Sequence, residues 1–345
     1  SPMPWLGWII WAVLVASTIA TVVWHSKRLT ALIVIGATGL MVSVVFALLS
    51  APDLALTQLM VEMVTVALMM MALNYLPKQS KQARSPLRRW RDVGISVTAG
   101  IGCAGLAYAM LVRTPDPAVA SEMLARALPE AYGSNVVNVI LVDFRGFDTF
   151  GEIAVFGIAA LVVHALLRRS RMAPEQIMPG PPMQLPVPAD LAQIMFPLTV
   201  TVSIFLFMRG HNAPGGGFIA GLVLAVPLVI QYVIQGTASV ESRFGFDYIR
   251  CIGVGLLVAI ASGMASMLFG VPFLTSGHAD LDLPLLGHVP LASAMGFDTG
   301  VYLVVFGGVM LILSMMGTIK PSRTRIARHG QIDPARRSAR TGEME

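Results

Sequence analysis

The sequence predicts an all-α, polytopic integral membrane protein with about nine transmembrane helices, its N-terminus outside and its C-terminus inside. Three observations carry that reading. Of 345 residues, 55% are hydrophobic and 12% charged, with mean hydropathy +0.73, whereas ordinary soluble domains carry about 25% charged residues. Nine apolar segments, 5–24, 31–50, 54–76, 93–112, 149–167, 191–208, 217–236, 248–269 and 299–317, approach the ~20 residues that a ~30 Å hydrocarbon layer requires. The third observation is the placement of basic residues. With the 77–92 loop inside, 20 Lys and Arg fall inside and only Arg113, Arg126, Arg145 and Arg209 outside, the cytoplasmic bias of membrane proteins. Alternating ~10-residue strands, the mark of a membrane barrel, are absent from the pattern.

The first span is flanked by Trp5, Trp8 and Trp24, as interfacial anchors are. It has no basic leader and no small-residue cleavage signal, so it reads as a span rather than a signal peptide. Span two carries Gly36 and Gly39, which permit close helix contact. After the turn at Pro52-Asp53, span three places Gln58, Glu62 and Thr65 on one stripe. Glu62 lies ~12 Å into that helix at 1.5 Å per residue. A carboxylate at such depth is costly and faces a cavity or a partner. Its bland counterpart is a protonated glutamate bonded to a neighbouring helix. Met69-Met70-Met71 reads as flexible packing surface.

Span four contains Gly100-Ile101-Gly102-Cys103-Ala104-Gly105, formally a dinucleotide fingerprint. No strand precedes it, so close helix packing is the expected role. Cys103 and Cys251 lie within spans with no metal or disulfide spacing and are read as small apolar core residues. The following outer loop suggests a surface helix at 118–128. The apolar run 135–144 is too short to cross and would lie along the rim or pair as a strand.

Span five opens on Gly146-Phe147-Asp148-Thr149-Phe150-Gly151-Glu152. Asp148 and Glu152, four residues apart, share a helix face. No Lys or Arg lies mid-span to neutralise the intramembrane acids, so each could exchange a proton. His164, near the inner end, could serve an exit or simply sit at the interface. The stretch 171–190 is proline-rich, with Pro179, Pro181, Pro182, Pro186 and Pro188. It is read as a cytoplasmic linker between a five-span module, 1–170, and a four-span module, 191–317. The tail 318–345 is basic, polar and expected to be disordered.

In the second module, span six contains Pro197. The outer loop Arg209-Gly210-His211-Asn212-Ala213-Pro214-Gly215-Gly216-Gly217 lacks the Lys-Ser/Thr of a phosphate loop. It is read as a tight turn, with ion contact through His211, Asn212, Pro214, Gly215 and Gly216 as the alternative. Spans six to eight have no acid in their interiors. Span nine repeats the opening of span five as Gly296-Phe297-Asp298-Thr299 with Val305-Phe306-Gly307. Tyr302 stands where the first copy has Glu152. Ion chemistry is therefore expected between spans three and five, with the second module as support.

These residues carry a resemblance. Ala51-Pro52-Asp53-Leu54-Ala55-Leu56-Thr57-Gln58-Leu59, Val61-Glu62 and Phe147-Asp148-Thr149 to Glu152 resemble the C-terminal region of the A-type component of Mrp-type multisubunit Na+/H+ antiporters. Phe196-Pro197 and Gly210-His211-Asn212-Ala213-Pro214-Gly215-Gly216-Gly217-Phe218 are similar to that complex's B-type component. The resemblance implies kinship of the first module with the J-type subunit of respiratory complex I. It also implies an ion path through Glu62, Asp148 and Glu152; the positions of Asp53, Gln58, Thr65 and His164 in or beside the same spans make them further pathway or support candidates. Na+ and H+ would be transported ions, with no cofactor and no metal site. Partners would be antiporter-like and small membrane subunits together with lipids, and no nucleic acid. The site would be the bacterial cytoplasmic membrane. The large antiporter-like module that precedes this region in the family lies outside the sequence, so the chain alone is not expected to be a complete transporter. Two alternatives remain: a structural adaptor without its own ion path, and a membrane module of a complex-I-related hydrogenase.

Overall fold

In the computed structural model the described residues are 5–73, 85–113, 117–170, 186–235, 237–283 and 287–317. The proline-rich linker at 171–185 and the tail 318–345 lie outside them. The described chain is almost wholly helical. α1 spans Trp5–Val23, α2 Arg28–Leu48, α3 Pro52–Leu73 and α4 Pro86–Val112. A surface helix, α5, covers Pro117–Ala131. A short α6, Val136–Val139, passes directly into a π-helical turn, Ile140–Phe144, and α7 covers Gly146–Ser170. The second module holds α8 (Pro186–Arg209), α9 (Gly217–Gln235), the short α10 (Thr237–Phe244), α11 (Tyr248–Leu268) and α12 (Ala294–Gly317). Eight of these helices are long and apolar enough to cross a membrane, with a shorter apolar stretch, Gln193–Arg209, inside α8. Together they coincide with the nine segments read from the sequence.

Two local expectations change. The 135–144 run is not a strand. Asn135 caps α6 by accepting from the Asn138 N–H at 3.4 Å. The Thr149 hydroxyl bonds the Leu141 carbonyl at 2.6 Å, which ties the π turn to α7. Strand pairing occurs instead at β1 (His278–Leu283) and β2 (Gly287–Ala292), an antiparallel hairpin between α11 and α12. The alternating sequence of 278–283 offers only six residues of that pattern, too few to outweigh the helical signal around it.

α9 and α12 form the buried centre. Ala220, Ala225, Val304, Met310 and Leu313 are almost completely enclosed. α12 packs against α9 and α11 in its own module and against α7 and α3 of the first, and α3 also meets α9. Small residues make these approaches possible. A Cβ on Gly255 would lie 2.8 Å from the Gly300 carbonyl, and one on Gly300 would lie 2.8 Å from Ala259 Cβ. Hydroxyls bridge neighbouring helices: Ser43 to the Ala55 carbonyl at 2.6 Å, and Ser203 to the Ala220 carbonyl at 2.8 Å.

α4 differs from all other spans. None of its described side chains is buried, and only Asp92 among them is half-buried; a Cβ on Gly100, Gly102 or Gly105 would meet no described atom within 4 Å. The glycine stripe therefore packs against no other described residue of this chain, and Cys103 is exposed rather than a core residue. Cys251 is half-buried and directs its thiol to the Leu303 carbonyl at 3.4 Å.

Candidate functional site

Four helices and one loop converge at the end of the bundle where α3, α7, α9 and α12 begin. There they line a half-open cavity of about 830 Å³ whose walls include Asp53, Glu152 and Asp298. The walls are otherwise largely apolar, with Thr57, Asn138 and Thr149 as further polar groups. Asp53 stands in the first turn of α3. Glu152 lies nearly two turns into α7, and Asp298 sits near the start of α12, 8% exposed.

The glycine loop fixes two of the three carboxylates. Gly215 N–H donates to Asp53 Oδ1 at 3.0 Å, and Gly217 N–H donates to Asp298 Oδ2 at 2.8 Å. Only glycine fits this approach. Gly216 has φ +101°, and a Cβ there would come within 2.5 Å of Asn138 Nδ2. One on Gly217 would lie 2.6 Å from Asp298 Oδ1. The two bonds tie the loop to the first turn of α3 and to the beginning of α12.

The rest of that loop clamps the two modules together. His211 Nε2 bonds the Ala131 carbonyl at 2.6 Å. Asn135 Nδ2 donates to the Gly210 and Ala213 carbonyls at 3.0 and 3.1 Å. Asn212 accepts from Ser134 through its backbone oxygen at 2.8 Å. Pro214 is half-buried in the turn. Tight turn and site wall are thus one structure.

Glu62 is elsewhere. It lines a separate groove of about 490 Å³ between α2, α3 and α9, with Gly36, Val229 and Val233. Nine residues separate it from Asp53, or about two and a half helical turns, which turns the two side chains to opposite faces of α3. The Glu62 carboxyl rests on Gly39, where a Cβ would lie 2.7 Å from Glu62 Cγ. Its Oε1 is buried and has no hydrogen-bond partner among the described residues. Gln58 and Thr65 are half-buried on α3 and line neither cavity.

Asp148 does not join Glu152. It is exposed and bonds the Arg145 guanidinium, one turn before Glu152. A shared face on paper became two environments because Arg145, in the turn before α7, captures the nearer acid. His164 is half-buried near the far end of α7, and its Nδ1 has no hydrogen-bond partner among the described residues. Among those residues no cluster of three or more His, Cys, Asp or Glu suits a metal ion.

The residue that sequence reasoning passes over is Asp298. In the sequence it looks like the beginning of a span that has lost its acid at Tyr302. Tyr302 in fact bonds Ser203 at 3.0 Å, while Asp298 brings the second module's own carboxylate into the cavity. The signal is available in the repeated Phe-Asp-Thr. Its partner, the glycine loop some 80 positions earlier, is not.

Comparison with known proteins assigns both modules. Residues 187–311 match a family model described as a domain related to the MnhB subunit of Na+/H+ antiporter. Residues 13–78 and 87–184 match models described as the D and E subunits of MBH. The chain is 44% identical over 115 residues to the B-type component of a Na+/H+ antiporter of Bacillus subtilis, covering 80% of that protein and 33% of this chain. It belongs to the Mrp antiporter family. A probable K+/H+ antiporter component of combined A/B type from Rhizobium meliloti is 43% identical over 337 residues, 88% of this chain and 34% of that protein. A chain of the solved Mrp complex from Dietzia sp. DQ12-45-1b superposes with a TM-score of 0.80 at 32% identity, covering 94% of this chain and 36% of that one. This Mrp chain thus joins A-type and B-type modules and spans about a third of the A/B relative. The cavity described above lies where its two modules meet.

Proposed function

We propose that this chain is part of a multisubunit monovalent cation/proton antiporter and contributes an ion path through intramembrane carboxylates. The observation that carries the reading is the single cavity lined by Asp53 and Glu152 of the A-type module and Asp298 of the B-type module. Carboxylates in such surroundings bind a proton or a monovalent cation in turn, which is the exchange an antiporter requires. Glu62, in its own groove farther along α3, is a second station. Asp148, held by Arg145, is a subsidiary group at the rim.

In this reading the proton-motive force drives exchange, and antiporter-like and small membrane subunits complete the assembly in a bacterial cytoplasmic membrane. The cation is Na+, with K+ tested in parallel because the Rhizobium meliloti relative is named for it. The experiment is cation-induced proton movement in membrane vesicles carrying the full complex. Glu152→Gln and Asp298→Asn should abolish exchange while the complex stays assembled. Wild-type exchange in both variants overturns the proposal. Loss of assembly in both would favour a structural adaptor.

A second reading, a membrane module of a hydrogenase-type complex related to respiratory complex I, draws on the two MBH models. Vesicles with intact complex but no cation-dependent proton movement would favour it.

A further inference from the structure

The acids of the inter-module cavity stand at one end of it, and the cavity runs on beyond them. On α7, Glu152 is followed along the lining by Val155, Phe156 and Ala159, spaced at three, four and seven residues and therefore on one face. On α12, which packs against α7, Asp298 is followed by Val301 and Val305 at the same spacing. Seven residues make ~10.5 Å of wall at 1.5 Å per residue. No side chain on these two stretches beyond the acids is polar. A transported ion uses the carboxylates and leaves this apolar length without a role. The walls therefore describe a ligand with two parts, a charged head and an apolar body.

Charge selects the head. Among the described residues three carboxylates line the cavity and no Lys, Arg or His joins them. Asp53 and Asp298 are held by the glycine loop, while Glu152 has no hydrogen-bond or ion-pair partner among the described residues. A cation is the complementary partner for such a group. The rings of Phe156 and Phe218 also line the site, and aromatic faces attract quaternary ammonium ions. Entry is open from the side: Val155 on α7 is 67% exposed and Leu54 on α3 49%, so a ligand with an apolar body can reach the cavity along the apolar surface of the bundle. The volume, about 830 Å³, lies within the ~300–1,000 Å³ of small-molecule sites.

We propose that the cavity binds monovalent organic cations with an apolar body, of the quaternary ammonium class. The charge sits among Glu152, Asp298 and Asp53, and the alkyl groups lie along Val155, Ala159, Val301 and Val305. An ion held there excludes the transported cation, so the class inhibits exchange competitively. Binding rests on the geometry of the cavity alone; the competition rests on the antiporter reading above.

The probe is tetrapropylammonium, a permanent cation that cannot carry protons across a vesicle membrane as an amine does. It should raise the melting temperature of the purified complex, a shift that reports binding without any need for exchange. It should also inhibit Na+-induced proton movement in vesicles, with a half-inhibitory concentration that rises with Na+. Tetramethylammonium, of the same charge without the propyl chains, should bind at least ~10-fold more weakly, because burying even two methylenes accounts for about that factor. Ala159→Phe fills the apolar end without touching a carboxylate and should weaken tetrapropylammonium by a similar factor; Glu152→Gln should remove the melting shift. No shift in the wild type, equal strength of the two ions, or a shift that survives both substitutions overturns this inference, whatever the exchange assay gives. Wild-type exchange in Glu152→Gln and Asp298→Asn overturns the antiporter reading instead, and the melting shift still decides whether the cavity binds the ion.

Discussion

Asp53 accepts a hydrogen bond from the Gly215 backbone N–H at 3.0 Å, across 162 positions of sequence. It joins the first turn of α3 to the glycine loop before α9, so one contact both shapes the cavity and holds the modules. A hydrogen bond to a charged group contributes about 1.5–3 kcal/mol. Asp53→Ala should therefore lower the melting temperature of the purified complex as well as its exchange rate. Asp53→Asn, which keeps an acceptor oxygen, should spare most of the stability but not the exchange. Equal melting losses in the two variants would contradict this account.

Gly217→Ala should resemble loss of Asp298 itself, because the added methyl would fall 2.6 Å from the Asp298 Oδ1. Exchange in vesicles is expected to drop at least ~10-fold. Gly105→Ala, on the open face of α4, is the control and should leave the melting temperature of the isolated chain unchanged.

Gly39 and Glu62 should be energetically coupled. Gly39→Ala forces the Glu62 carboxyl from its place, and overpacking of this kind costs about 1–3 kcal/mol. In Gly39→Ala/Glu62→Ala the clash disappears, so the double variant should be more stable than the sum of the single losses. Additive losses in thermal denaturation would show that the two do not touch.

Asp148 and Arg145 form an exposed pair, and such pairs contribute roughly 0–1 kcal/mol. Asp148→Asn should retain more than half of wild-type exchange, in contrast to Glu152→Gln. Equal loss in both would return Asp148 to the cavity group.

Asp143, in the π turn, supplies a pH dependence. Burial holds its carboxyl above the usual range, against hydrogen bonds from Ser276 and the nearby His211 charge, which pull it down. The folded state thus binds this proton more tightly than the unfolded chain does. Its stabilising effect is complete below the ordinary carboxylate range and is lost as pH rises through the raised value. Asp143→Asn removes that loss, so the variant should match or exceed wild type in melting temperature at neutral pH and show no such advantage in acid.

The membrane class and the nine long helices among the described residues were legible because a hydrocarbon layer imposes a length and a polarity that composition reports directly. Glu62 and Glu152 could be singled out on the same ground. What periodicity could not give was which carboxylates meet. Asp148 and Glu152 share a stripe, yet Arg145 removes one of them. Asp53 and Asp298 look like helix starts, yet the glycine loop draws both to one cavity. The first outcome turns on side-chain geometry between neighbours three positions apart, the second on contacts 81 and 162 positions apart, for which a single sequence carries no signal. The π turn and the 278–292 hairpin were missed because their local signals are weak: the turn is tied to α7 by the Thr149–Leu141 bond, and each strand offers only six residues of pattern.

The cavity walls come partly from what the Bacillus subtilis relative keeps on a separate B-type polypeptide, four-fifths of which is covered by 115 residues of this chain. Joining both walls in one polypeptide replaces a search for a partner by an encounter at millimolar effective concentration. It also fixes the two halves at one copy each. A cell making this chain cannot produce Glu152 without an Asp298 to face it, so expression imbalance can never leave a lone half-lined cavity in the membrane.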